Sequence, residues 1–268
     1  MTSKIKNVFM ALAATLAVTA CAEKPQKVGI VAHRGFWKCE QAGNAQNSIA
    51  ALKAAQDEGF WGSEFDAQLT LDEHVIINHD ADIHGMVIKE HTLDTLKTLL
   101  LPNGEHPSTL DEYLTQGEKS KTMLVFEFKD QVDSARNIIL VDKSIAALKA
   151  HNLYDPSRVM FISFSHQICC YIAQIAPEFV NQYLTGNKTP AELHKDGING
   201  IDYSMKVFKK HPEYIEEAHN LGMSTNVFTV NKDSTMMKFV EQGVQFITTN
   251  EPLILRGVLG EKELKPGK

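Results

Sequence analysis

Glu64 and Asp66 stand two apart in Gly62–Leu69, a run that reads as a β-strand. A period of two puts both carboxylates on one face and sends Phe65 to the other. Glu127 and Lys129 repeat the arrangement in Thr122–Lys129, with Phe126 and Phe128 opposite. His33, Arg34 and Gly35 end the first apolar run, and His79-Asp80 ends an extended segment after the second strand. If these strands are neighbours, three carboxylates and one ammonium meet at one end of a sheet.

Such a cluster repels itself and resists desolvation unless positive charge sits within it. Lys129 and Arg34 offset part of that charge, and a divalent cation offsets the rest. An all-oxygen ligand set of Glu64, Asp66 and Glu127 favours Mg2+, Ca2+ or Mn2+ over Zn2+. His33 and His79 titrate near neutrality, so flanking a metal they can serve as general base and general acid. The other histidines read as surface or core residues. His166 follows a strand end, where Ser165 reads as a helix N-cap and His166 as its bystander, with a mouth-facing role left open by its location.

These residues need a scaffold that gathers strand ends. The chain supplies a steady alternation from Val28 onward. Strands are expected at Val28–Ala32, Gly62–Leu69, Thr122–Lys129, Val159–Ser163, Phe179–Leu184, Gly200–Tyr203, Ser224–Thr229 and Gln245–Thr248. Helices are expected between them, among them Ser48–Glu58, Ser134–His151, His166–Ala176, Pro212–Leu221 and Ser234–Glu241, with a last one from Pro252. About eight strand–helix units predict an α/β fold, a TIM-type (β/α)8 barrel with its site at the strand C-termini. A doubly wound open sheet is the runner-up, and no G-x-G-x-x-G turn follows the first strand to support it. Residues 81–121 interrupt the rhythm. They read as an extended connection beside the mouth, with helices at Leu93–Leu100 and Leu110–Gly117.

The 268 residues carry 27 Lys+Arg against 33 Asp+Glu, a net charge of -6, which excludes a general nucleic-acid binder. Residues 1–20 read as an export signal, with Lys4 and Lys6 before an apolar run from Val8 to Ala20. The run is too short to span a bilayer comfortably. It ends Val18-Thr19-Ala20-Cys21, which is similar to a bacterial lipoprotein cleavage box, so Cys21 is the expected lipidation site. Residues 21–27 form a tether, 28–258 the barrel and 259–268 a polar tail. The chain is thus expected to be an exported lipoprotein, anchored at a periplasmic or cell-surface membrane face. Cys39, Cys169 and Cys170 are expected to be free, buried thiols.

The ordered series Ala32-His33-Arg34-Gly35, Asn47-Ser48, Glu64 to Asp72, His79-Asp80, His106 to Glu112 and Glu127-Phe128-Lys129 resembles the glycerophosphodiester phosphodiesterase family. Asn226 to Asn231 and Thr248 to Pro252 resemble its late strand ends. The resemblance implies Glu64, Asp66 and Glu127 as metal ligands and His33 and His79 as the acid–base pair. It implies that Arg34 and Lys129 hold phosphate oxygens. It implies cleavage of glycerophosphodiesters to glycerol 3-phosphate and an alcohol, with water or a neighbouring glycerol hydroxyl as nucleophile. Two positions depart from the family pattern. Gln46 stands where Glu is usual, removing a charge near the first loop. Phe228 stands where Trp is usual, keeping an apolar substrate wall without an indole N–H. Phe36 and Trp37 could add an apolar lip or pack beneath the loop. The competing readings are a phospholipase C- or D-like enzyme on larger lipids and a lipoprotein that binds a phosphorylated ligand without turnover.

Overall fold

The computed structural model describes residues 27–131 and 133–267. The expected export signal and the expected lipidation site, Cys21, lie outside them. In chain order the elements are β1 (Val28–Ala32), α1 (Ile49–Asp57), β2 (Gly62–Leu69), β3 (Val75–Ile77), β4 (Asp82–Ile83), β5 (Met86–Val87), α2 (Leu93–Leu96) and α3 (Leu110–Gly117). Then come β6 (Met123–Phe128), α4 (Ser134–Ala150), β7 (Val159–Ser163), α5 (His166–Ile175), β8 (Asn181–Tyr183) and α6 (Pro190–Lys195). The last are β9 (Gly200–Ser204), α7 (Met205–Lys210), α8 (Glu213–Asn220), β10 (Ser224–Phe228), α9 (Asp233–Glu241), β11 (Phe246–Thr249), α10 (Pro252–Leu259) and β12 (Glu263–Leu264).

Parallel pairing runs β1-β11-β10-β9-β8-β7-β6-β2, and β1 also pairs with β2 through Val31–Gly62 and Ala32–Ser63. That last pairing closes the sheet into a (β/α)8 barrel and removes the open-sheet alternative. Strand alternation then sorts the side chains. Phe65, Phe126, Phe128 and Phe161 point outward and pack under the helices, while Val31, Val125, Met160 and Ile162 fill the interior. Trp61 stacks on Phe246 at 4.2 Å near the strand starts, so the bottom of the barrel is plugged. Polar interior residues are therefore gathered toward the other end.

Four readings need correction. Residues 81–121 are only partly a connection: α3 packs against α1 and α4 and buries Leu110, Tyr113 and Leu114 as a helix of the outer ring. A Thr109–Glu112 capping box starts it. The helix expected over Leu93–Leu100 is one turn, Leu93–Leu96, packed with Ile76, Ile83 and Ile88 in a small satellite core. An unexpected helix, α7, follows β9 directly, because Phe208 buries against the ring. The polar tail is not separate from the barrel, since Glu263 and Leu264 pair with Val28 and Gly29.

The three thiols are free, but only Cys169 is fully buried; Cys39 and Cys170 are half-exposed. Ser165 occupies the N-cap of α5 without a side-chain capping bond.

The outward phenylalanines hold the sheet to its helices. Phe161 is fully buried, with ring centroids 5.0 Å from Phe179 and 5.5 Å from Phe128. Phe161→Ala should lower the unfolding free energy by about 3–5 kcal/mol in urea denaturation, the range for emptying a packed aromatic site. A loss below about 1 kcal/mol would show that this layer is not tightly packed.

Candidate active site

The site begins at a strained turn. Arg34 has φ 57° and Gly35 φ 79°, so the chain reverses sharply after β1. A Cβ on Gly35 would lie 2.7 Å from the Ala51 Cβ and 2.8 Å from its carbonyl carbon, so only glycine fits against α1. The turn aims the Arg34 N–H at Glu64 Oε2, 2.7 Å away. The Arg34 side chain donates from Nη1 to Gln46 Oε1 at 2.6 Å, and its Nε is 4.0 Å from Asp66 Oδ2. Gln46 thus keeps the acceptor this loop needs, though it carries no charge. Phe36 packs on Phe60 in the core rather than forming a lip.

The loop is braced from two directions. Ser48 caps α1 by accepting from the Ala51 N–H. From the long connection, the Glu105 carboxylate accepts from the Ile49 and Ala50 N–H groups at 3.0 and 3.2 Å. Both satisfy amides that the helix start leaves free.

Glu64, Asp66 and Glu127 are 2%, 0% and 6% exposed, and one oxygen from each lies within 4.8 Å of the others. Pairing of β2 with β6 sets Asp66 beside Glu127. Lys129 Nζ sits 2.8 Å from Glu127 Oε1 and 3.4 Å from Asp66 Oδ1. Asn47 donates from Nδ2 to Asp66 Oδ2 at 2.8 Å and accepts from the Asp66 N–H. Glu64 Oε1 is buried without a hydrogen-bond donor among the described residues, and Asp66 Oδ1 has only the Lys129 ammonium, 3.4 Å away.

The electrostatics follow from this packing. Burial, then Asp66 and Glu127, push the Glu64 carboxyl well above the usual range. Burial and Asp66 raise Glu127 to about 8, although Lys129 opposes them. Burial would raise Asp66 too, but Lys129, His79, Asn47 and Arg34 outweigh it and hold Asp66 below its ordinary value. Three buried carboxyls, one with an orphaned oxygen and two raised by burial and by each other's charge, make an all-oxygen cluster that a hard divalent cation fits. Glu64, Asp66 and Glu127 are the residues that could hold it.

His33 is fixed from the far end of the chain. Its Nδ1 is 2.9 Å from Asn250 Oδ1, which also accepts from Trp37 Nε1 at 3.2 Å. Indole N–H can only donate, so that atom is the amide oxygen and His33 carries its proton on Nδ1. The bare Nε2 faces the interior, 4.0 Å from Glu64 Oε2. Burial, with Arg34 adding to it, lowers the His33 pKa to about 4, so the ring is neutral. His79 pairs through Nδ1 with Asp80 Oδ1 at 2.7 Å. Gln68 positions the His79 loop by donating to the carbonyls of Asn78 and Asp80 at 2.8 and 2.6 Å.

His33, Arg34, Glu64, His79, Glu127 and Phe228 all line one pocket of about 120 Å³. Lys129 and Asp66 adjoin it through Glu127. Phe228 meets Phe164 edge-on at 5.7 Å, and with Ile162 and Leu184 they form an apolar wall. All the expected site residues within the described chain are therefore brought together.

Several partners escape the sequence reading. Gln68 follows Glu64 and Asp66 in the same strand phase, a signal that was available. Asn250 lies in the Thr248 to Pro252 stretch of the resemblance but has no role there, and Phe164 carries no signal by itself. Asp202 on β9 also lines the pocket, and one of its oxygens accepts from Asn226 Nδ2 at 3.1 Å. Burial, then Glu127, hold its carboxyl well above the usual range. Nothing in its local sequence marks it.

Buried carboxylates and two imidazoles gather at the mouth of a (β/α)8 barrel, the arrangement of a hydrolytic active site, and the family match assigns the class as phosphoric diester hydrolase. The chain belongs to the glycerophosphoryl diester phosphodiesterase family, whose profile matches residues 33–254. A glycerophosphodiester phosphodiesterase of Caldanaerobacter subterraneus subsp. tengcongensis is 26% identical over 247 residues, covering 84% of this chain and 95% of that one. A crystal structure of a glycerophosphodiester phosphodiesterase from Parabacteroides distasonis is 38% identical, with a TM-score of 0.85, covering 89% of this chain and 99% of that one. An Oleispira antarctica phosphodiesterase, solved with the product sn-glycerol-3-phosphate, shares the fold at 21% identity and a TM-score of 0.74. That match covers 87% of this chain and 97% of the other.

The raised carboxyls set a pH dependence. Glu64, Glu127 and Asp202 bind protons more tightly folded than unfolded. That stability is full below their ordinary values and is lost as pH rises through the folded ones. His33, lowered from 6.5 to about 4, has the opposite effect, but only below pH 6.5. From pH 6.5 to 8 the carboxyls act alone among these groups. The Tm of chelator-treated protein should therefore fall across that interval. A flat or rising Tm would contradict the assigned burial.

Proposed function

We propose that this chain hydrolyses glycerophosphodiesters to glycerol 3-phosphate and an alcohol, with a divalent cation at Glu64, Asp66 and Glu127. The observation that carries the reading is His33. Asn250 locks its proton on Nδ1 and leaves a neutral Nε2 beside the carboxylate cluster. A ring so held can accept a proton from the attacking hydroxyl group. His79, whose Nδ1 pairs with Asp80, is the candidate to give a proton to the departing alkoxide.

A phosphodiester is anionic, so charge must be neutralised before a nucleophile approaches. A bound Mg2+, Ca2+ or Mn2+ would supply that neutralisation and polarise the phosphoryl oxygens. Arg34 and Lys129 add to it. Arg34 has donors beyond the one given to Gln46, and the Lys129 ammonium has three protons for two carboxylate partners. The Phe164–Phe228 wall faces the part of the substrate that carries no charge.

Pocket size favours a compact substrate. About 120 Å³ suits a glycerophosphate end better than acyl chains, since drug-sized ligands occupy roughly 300–1,000 Å³. Exposed Phe164 favours the second reading, a lipid-sized diester. The sequence supports anchorage at Cys21, which would hold the chain at a membrane surface. Cys21→Ala should move the protein from the membrane to the soluble fraction; persistence at the membrane would remove the anchor.

The direct test is release of glycerol 3-phosphate from glycerophosphocholine and glycerophosphoethanolamine in Mg2+, Ca2+, Mn2+ or EDTA. Turnover should vanish in EDTA and return with one of the ions. His33→Ala and His79→Ala should each lower kcat at least about a hundredfold. Turnover indifferent to chelation, or near-normal rates in both variants, would overturn the mechanism. Turnover only of phospholipid vesicles would establish the second reading.

A further inference from the structure

A second cluster of ligating side chains lies outside the barrel mouth. His166 opens α5, Cys170 follows one turn later, and Asp196 caps the end of α6. Spacing of four puts the imidazole and thiol on one face of the helix. His166 Nε2 is 2.8 Å from Asp196 Oδ2 and 3.5 Å from Cys170 Sγ. One atom from each of the three residues lies within 4.8 Å of the others. The same imidazole nitrogen is the near point for both partners, so oxygen, nitrogen and sulfur converge on one position.

We propose that His166, Cys170 and Asp196 form a Zn2+ site that clasps α5 to α6. A mixed nitrogen, sulfur and oxygen set suits this borderline ion, whereas the all-oxygen cluster at the mouth suits a hard one. The spacing agrees. Tetrahedral zinc with bonds of about 2.0–2.1 Å to nitrogen and 2.3 Å to sulfur sets those atoms roughly 3.5–3.6 Å apart. Nitrogen and oxygen would need to separate by only about 0.5 Å from their present contact. The Tyr183 ring packs edge-on against His166 at 5.7 Å and limits its rotation. Side-chain exposures of 33% for His166 and 37% for Asp196 leave a route for the ion and a fourth position for water.

Binding requires the Cys170 thiol to lose its proton to solvent and the His166 Nε2 to offer its lone pair. Without an ion, burial and the Asp196 charge hold the thiol protonated above its ordinary value. The pairing of His166 with Asp196 alone needs no metal and is the competing account.

Co2+ as a spectroscopic substitute separates the two. The purified full-length chain, titrated with Co2+, should develop a sulfur-to-cobalt charge-transfer band, which the oxygen-only site cannot produce. Zn2+ should displace it. Cys170→Ser should abolish the band, and Cys169→Ser should leave it. Asp196→Ala should weaken binding by more than the roughly 10–100-fold that loss of an outer-shell partner costs. Absence of the band in the wild-type chain, or its survival in Cys170→Ser, would overturn the site. This outcome is independent of phosphodiester turnover.

Discussion

Three carboxylates buried within 4.8 Å of one another are the constraint on which the rest of this molecule depends. Water cannot screen them, and each raises the cost of charging its neighbours. The surrounding structure answers that charge group by group. The Arg34 amide serves Glu64, Asn47 serves Asp66, and Lys129 lies between Asp66 and Glu127. What remains unanswered, above all at Glu64 Oε1, is a demand that a divalent cation could meet.

The barrel makes this concentration possible. Closure through β1–β2 brings the first and second strands into contact, and the parallel β2–β6 pair sets Asp66 beside Glu127. An aromatic bottom, Trp61 on Phe246, leaves polar residues to gather only at the strand C-termini. There the left-handed turn at Arg34 and Gly35 converts the end of a strand into a ligand-facing amide and an imidazole. Chemistry at this mouth therefore rests on backbone conformation as much as on side-chain identity.

Residues whose role follows from strand period were legible in the sequence. Glu64, Asp66, Glu127 and Lys129 declare a shared face by spacing alone, and the strand–helix rhythm declares the barrel. Residues whose role comes from closure were not. Asn250 holds His33 across 217 positions, and Asp202 reaches the pocket only because β9 curves into the same cylinder. The misreading of 81–121 has a similar cause. Local composition shows Leu110–Gly117 to be a helix, but only its packing against α1 and α4 makes it part of the ring. Gln68 is an intermediate case: its phase was visible, while the carbonyls it holds were not.

The central proposal is that the buried carboxylates form a divalent-cation site. Titration calorimetry of Mg2+, Ca2+ or Mn2+ into chelator-stripped protein at pH 7.5, in two buffers of different ionisation enthalpy, tests it most directly. The account predicts one divalent ion per chain at this cluster, protons released on binding because burial raises the Glu127 carboxyl to about 8 and Glu64 in the same direction, and loss of that binding in Asp66→Asn. Binding undiminished in Asp66→Asn, or no binding of any of these ions to the folded wild-type chain, would contradict it.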